Sequence, residues 1–282
     1  MQYTLAGIQS VATADPERNL KHLIQLTEIA ATRGATIVLL PQLCITQWFP
    51  SAADGAVPLE SHRDALARFQ ACAQSQAVHL VAPMPERPRI DGDEWFNSAF
   101  VIDPNGELVG TYQKRHLPDL DGYRETRYFT PGRGPLPVYD LGGLRVGIQI
   151  CWDNYFPEEA RLLALAGAQL IFAPTAAAFD SQERWRGLLC SHALCNSIYL
   201  FRLNRVGKEP AMEFYGESFC ADPLGELVAA PAGSSEAIVM ATIDTDRIDE
   251  ARRMTRFLSD RQPEIYGPLA DPAVGNETTA AG

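Results

Sequence analysis

Three segments from the first half of this chain return, in the same order, in the second half. Gly7-Ile8-Gln9 returns as Gly147-Ile148-Gln149, and Gly34-Ala35-Thr36-Ile37-Val38-Leu39-Leu40-Pro41 as Gly167-Ala168-Gln169-Leu170-Ile171-Phe172-Ala173-Pro174. Asp103-Pro104-Asn105-Gly106-Glu107-Leu108-Val109 returns as Asp222-Pro223-Leu224-Gly225-Glu226-Leu227-Val228. Turn and strand residues recur by composition, so a single match carries little weight. Three in register imply two similar α-β halves. Each half offers a mixed sheet with helices on one face, and stacking the sheets buries both bare faces at once. The expected fold class is α/β, an αββα sandwich with an internal pseudo-twofold repeat. A chain of 282 residues, 46% hydrophobic, is large enough to build this as one domain over residues 1–268. Residues 269–282 are left as a flexible tail, disordered from Asn276 onward.

Local signals fill in the elements. Tyr3 to Ile8 reads as a strand, and Asp15-Pro16-Glu17 starts a helix with Asp15 as its cap and Gly34 at its close. Thr36 to Leu40 is a buried strand. Ser61 to Ser75 is a helix with a capping box from Ser61 to Asp64, and Val78 to Ala82 is a strand. Trp95–Ile102 and Leu108–Gln113 form a hairpin around Asp103-Pro104-Asn105-Gly106. Arg115 to Pro137 is a loop, long enough to suggest function. The apolar run Leu144–Ile150 is a buried strand, and Pro157-Glu158-Glu159 starts the next helix. Cys151 therefore stands at the carboxyl end of a strand, where α/β sheets present their chemistry.

Composition removes several classes of function. The net charge of -11 argues against nucleic acid as a partner, which needs a basic face. The amino terminus has no basic leader or cleavage site, and no apolar run reaches membrane-spanning length, so a cytoplasmic protein is expected. The six cysteines are scattered, which suits reduced thiols, and neither they nor the five histidines show metal-ligand spacing. No metal is expected.

Several motifs resemble the nitrilase superfamily of carbon–nitrogen hydrolases, and most closely its N-carbamoylputrescine amidase-like branch. They are Tyr112-Gln113-Lys114-Arg115-His116-Leu117-Pro118, Ile150-Cys151-Trp152-Asp153 with Phe156-Pro157-Glu158, Pro174-Thr175-Ala176, Asn204-Arg205-Val206-Gly207 and Phe214-Tyr215-Gly216-Glu217-Ser218-Phe219. The likeness runs from Tyr3 to about Leu269. It implies the αββα sandwich, a homo-oligomer of at least two subunits, and a site of glutamate, lysine and cysteine with a second glutamate and no cofactor. By this resemblance Cys151 is the nucleophile. Lys114 favours its thiolate and, with the Trp152 main-chain N–H, holds the oxyanion. Glu125 is the second glutamate, and His116 is a structural partner rather than a base.

The first glutamate is where the chain departs. The family places Pro-Glu after the second strand, and this chain has Pro41-Gln42. An amide cannot take a proton, and positioned acid–base groups contribute roughly a hundred- to ten-thousand-fold. Turnover is expected to be impaired. Gln42 can be a deliberate Glu→Gln change that holds an acyl complex, or a natural replacement with Glu125 or another acid as relay. It can also mark a catalytically silent module that acts by binding or subunit contact. The substrate is expected to be a small molecule. Trp152, Asp153, Tyr155, Thr175 and Glu217 are the expected binding residues, and an acidic, aromatic pocket of this kind suits a neutral or cationic compound. An N-carbamoyl amine or linear ω-amide is the expected substrate, with a nitrile as the alternative.

Overall fold

The computed structural model of the chain describes residues 1–52, 56–89, 91–178 and 181–271. The first half runs β1 (Gln2–Gln9), α1 (Pro16–Thr32), β2 (Ile37–Leu39), α2 (Arg63–Gln76), β3 (His79–Glu86), β4 (Phe96–Ile102) and β5 (Leu108–Gln113). A short ribbon follows, β6 (Asp119–Leu120) with β7 (Tyr123–Arg124). The second half runs β8 (Val138–Leu141), β9 (Leu144–Ile148), α3 (Pro157–Leu165), β10 (Leu170–Thr175), α4 (Gln182–Asn196) and β11 (Tyr199–Asn204). It ends with β12 (Val206–Lys208), β13 (Glu213–Tyr215), β14 (Phe219–Ala221), β15 (Ala237–Asp244) and α5 (Thr245–Thr255).

One sheet has the order β15-β1-β2-β3-β4-β5 and the other β14-β11-β10-β9-β8. In each, three parallel strands (β1-β2-β3 and β9-β10-β11) are joined by two helical crossovers, and an antiparallel strand follows. The repeat therefore extends to topology. It extends to turn chemistry as well. Asp103 Oδ1 accepts from the N–H groups of Asn105 (2.8 Å) and Glu107 (2.9 Å), and Asp222 Oδ1 accepts from those of Leu224 (2.8 Å) and Glu226 (3.0 Å). Gly106 and Gly225 both take left-handed backbone (φ +81° and +78°) against a helix carbonyl, that of Gln70 or Cys190.

Strand period sorts the core into layers. Leu5, Ile37, Val81 and Val101 of the first sheet share one buried cluster with Val146, Ile148, Phe201 and Leu203 of the second. Their neighbours Ala6, Val38, Leu80 and Phe100 face the other way, onto Leu20 and Leu23 of α1 and Phe69 of α2. At Gly7 the sheets come so close that an added Cβ would lie 2.8 Å from the Phe201 ring. The expected sandwich is the observed fold.

Local expectations needed adjustment in four places. α2 begins at Arg63 rather than Ser61, and no capping box forms. Ser61 Oγ accepts from the Arg63 N–H at 3.1 Å, but Asp64 turns to Arg68 instead of closing back. The 115–137 segment is not loop throughout, because it holds the β6–β7 ribbon and a helical turn at Glu125–Arg127. A further turn, Cys151–Tyr155, links β9 to α3. Gly267–Ala270 is also a helical turn, so the tail has local structure at its start, while the expected disorder beyond Asn276 lies outside the described residues. Among the described residues no helix is long and apolar enough to cross a membrane.

Candidate active site

The site gathers residues that follow strand carboxyl ends in both sheets. Gln42 follows β2, Lys114 follows β5, Cys151 follows β9 and Ala176–Ala177 follow β10. Cys151 has φ +49°, a left-handed conformation that a non-glycine residue adopts at a cost of about 1–3 kcal/mol. The surroundings hold it there. Asn154 Nδ2 donates to the carbonyls of Gln149 (3.0 Å) and Cys151 (2.9 Å), and His192 Nε2 meets the Asn154 carbonyl at 2.8 Å.

Gln42, Lys114 and Glu125 are all fully buried. Lys114 Nζ donates to Glu125 Oε1 at 2.6 Å, and Asn97 Nδ2 donates to Oε2 at 3.0 Å. Gln42 Nε2 donates weakly to Oε1 at 3.4 Å, while Gln42 Oε1 has no hydrogen-bond partner. The Glu125 carboxylate is thus fixed by three donors, and the Gln42 amide is left with a bare acceptor. The Gln42 main chain is firmly held, because Arg205 Nη1 donates to the carbonyls of Gln42 (3.0 Å) and Leu43 (2.9 Å).

Burial pushes the Cys151 thiol above its ordinary range; Lys114 pulls it down, and Glu125 pushes it up. Lys114 therefore acts in the expected direction, but burial outweighs it. A main-chain hydrogen bond from Ala176 and the charge of Arg202 also favour the thiolate. Arg202 was not anticipated from sequence. It is a buried guanidinium that donates to the Tyr215 hydroxyl at 2.7 Å and lies 5.2 Å from the centre of the Trp185 ring.

A cavity of about 240 Å³ opens onto Cys151. Its lining includes the aromatic residues Trp152, Tyr155, Trp185 and Tyr123, with Pro118 and Leu120. Ala176, Ala177, Ser181 and Arg184 complete it. The Tyr123 hydroxyl accepts from the Ala178 N–H at 3.0 Å, which ties the β6–β7 ribbon to the segment after β10. A larger groove of about 750 Å³, beside Arg115, His116 and Glu159, does not include Cys151.

Of the five expected binding residues, Trp152 and Tyr155 line the cavity and the other three do not. Asp153 is fully buried and faces the protein. Its Oδ2 accepts from the Tyr112 hydroxyl (2.8 Å) and the Ile150 N–H (3.0 Å), and its Oδ1 from the His116 N–H (2.9 Å). It fastens the segment after Lys114 to the turn after Cys151. Thr175 is also buried, with Oγ1 donating to Asn204 Oδ1 at 3.2 Å. Glu217 pairs with Arg186 at 3.8 Å. With Asp153 and Glu217 outside the lining, the expected acidic pocket is not what surrounds Cys151. Arg184 is the charged side chain among the described lining residues.

His116 Nδ1 meets Asp153 Oδ1 at 3.1 Å and the ring stacks on Phe156, with ring centres 3.6 Å apart. His116, Asp153 and Glu159 bring ligand-type atoms within 4.8 Å of one another. Internal hydrogen bonds already engage the Asp153 oxygens. Burial and the Asp153 charge push the Glu159 carboxyl up to about 7.

The Carbon-nitrogen hydrolase family matches residues 3–253, and the chain belongs to that family, within the nitrilase superfamily. It is 34% identical to an N-carbamoylputrescine amidase of Solanum lycopersicum, over 94% of each chain. It also superposes on a carbon-nitrogen hydrolase from Helicobacter pylori G27 with a TM-score of 0.91 and 30% identity, over 96% of this chain and 99% of that one. A Glu→Gln variant of the amidase from Nesterenkonia sp. AN1 is similar too, with a TM-score of 0.80 and 29% identity over 94% and 95% of the two chains. That structure shows the acetamide moiety of fluoroacetamide added covalently at the active-site cysteine.

Proposed function

We propose that this chain attacks small linear amides or N-carbamoyl compounds through Cys151 and that Gln42 slows its turnover. The observation that carries the reading is the buried Lys114–Glu125 pair, 2.6 Å apart, acting on a cysteine in left-handed backbone that lines a cavity. Sγ adds to the carbonyl carbon, and the Lys114 ammonium and Trp152 N–H meet the resulting oxyanion. The C–N bond then breaks as the leaving nitrogen takes up the proton the thiol gave up, and a thioester on Cys151 awaits water.

Proton movement is the weak link. The thiol is raised by burial, so it must lose its proton to react. A carboxylate at position 42 would accept that proton and return it to the leaving nitrogen, whereas the amide does neither. Lys114 stabilises the thiolate independently, so thiol reactivity is retained. The covalent adduct of the Nesterenkonia Glu→Gln variant supports that division of labour.

Similarity to the N-carbamoylputrescine amidase supports a carbamoyl or primary amide group as the reacting end. A nitrile is the second reading, favoured by Trp152, Asn154 and Tyr155, which resemble the residues after a nitrilase nucleophile. Ammonia release from valeramide and from valeronitrile separates the two, and loss of release in Cys151→Ala ties it to this site. Release that persists in Cys151→Ala would refute the assignment. The reading includes a homo-oligomer, supported by exposed Leu162, Leu165 and Leu269. Light scattering that gives a monomer mass would remove that part.

A further inference from the structure

We infer that Arg184 makes this cavity selective for substrates whose far end carries a carboxylate. The inference rests on the proposed reaction at Cys151 and specifies what that site accepts. Arg184, an exposed residue at the rim, lines the same cavity as Cys151, and its guanidinium engages the Tyr155 hydroxyl by charge and by a side-chain hydrogen bond. Tyr155 in turn packs between Trp152 and Trp185, with ring centres 4.7 Å and 5.2 Å away. The guanidinium thus sits along an aromatic wall that begins beside the nucleophile.

Its place in the helix is unfavourable without an anion. Arg184 is in the first turn of α4, where exposed N–H groups already create positive potential and where acids are the preferred residues. Ser181, at the cap position, makes no side-chain bond to those N–H groups, because its Oγ donates to the Ala178 carbonyl at 2.8 Å. The described acids nearest to it in the sequence and on the facing segment, Glu183 and Glu217, are committed elsewhere. Glu183 pairs with Arg186 at 3.3 Å, and Glu217 also turns to Arg186. Among the described residues no carboxylate pairs with Arg184. A residue that breaks a local rule at a cavity wall points to function. Tyr155 uses only part of the guanidinium's five donors, and the remaining fork at the cavity rim suits a carboxylate. The overall charge of -11 repels anions, so a local cation is needed to admit one.

The test uses glutaramate, valeramide and the ω-amino analogue of valeramide, titrated calorimetrically into the Cys151→Ala chain. Glutaramate is expected to bind about tenfold or more tightly than valeramide, with the ω-amino compound weakest. Adding Arg184→Glu is expected to reverse the order. Equal binding of the three, or an order untouched by Arg184→Glu, would overturn the inference. A second readout uses the unaltered chain: the ratio of Cys151 alkylation by iodoacetate to that by iodoacetamide, followed by peptide mass. Arg184→Gln is expected to lower that ratio about tenfold, and an unchanged ratio would overturn the inference. Acylation of Cys151 by valeramide tests the proposed reaction separately, so either idea can fail while the other stands.

Discussion

The Lys114 ammonium and Glu125 carboxylate share a fully buried space in which neither has a second opposite charge within bonding distance among the described residues. Removing one strands the other. Lys114→Met is therefore expected to destabilise the fold by about 3–5 kcal/mol, read by urea unfolding. The same change removes the charge that lowers the Cys151 thiol and exposes it to Glu125. The pH profile of iodoacetamide alkylation at Cys151 should move to higher pH, and a shift to lower pH would contradict this electrostatic account. Glu159 gives a prediction of opposite kind. It ionises near 4.5 when unfolded and at about 7 when folded. The folded state thus holds the proton longer, and the stability this provides is present below 4.5 and lost as pH rises through about 7. Glu159→Gln should gain on the parent across that window, with little difference below it. At this scale the sequence disclosed chemistry better than direction. The family resemblance singled out Cys151, Lys114, Gln42 and Glu125, and strand-end position singled out Cys151; of these, Lys114 and Gln42 both donate to Glu125. Asp153, Thr175 and Glu217 were misplaced because a polar residue near a nucleophile can face substrate or protein, and only packing decides. Arg184 had no local signal beyond lying after a strand adjacent to β9.

Between elements, the Asp153 carboxylate joins two chain segments whose relative position sets the distance between Lys114 and Cys151. Asp153→Asn keeps its volume but loses charge and at least one acceptor. It is expected to cost about 1–3 kcal/mol and to slow Cys151 acylation without altering the cavity wall. Acylation at the parent rate would show that the fastening is dispensable. The paired turns at Gly106 and Gly225 offer a matched comparison. Each has positive φ, and an added Cβ at either would meet a helix carbonyl oxygen at 2.8 Å. Gly106→Ala and Gly225→Ala should each lose at least about 1–2 kcal/mol, the left-handed backbone cost alone. If only one is costly, the turns are not equivalent. These turns were readable because Asp-Pro-x-Gly fixes backbone geometry locally. The start of α2 was not, because a capping box requires the Asp64 side chain to turn back, and it turns to Arg68 instead.

For the molecule as a whole, the repeat foretold the sandwich because two one-sided sheets have few ways to hide their bare faces. It did not foretell how closely they meet. Gly7 lies against Phe201, and Gly147, its counterpart in sequence, lies against Leu163 of α3. Equivalent glycines thus serve different layers. Gly7→Val should overpack the shared core by about 1–3 kcal/mol. The loss should appear together in far-ultraviolet circular dichroism and tryptophan fluorescence, since both halves depend on that layer. The account's central claim concerns position 42, and intact-protein mass tests it most directly. With saturating valeramide, Gln42→Glu is expected to turn over orders of magnitude faster than this chain, while fluoroacetamide still adds its acetamide mass to Cys151 in both. Equal turnover in the two proteins, or no adduct on Cys151 in the parent chain, would contradict it.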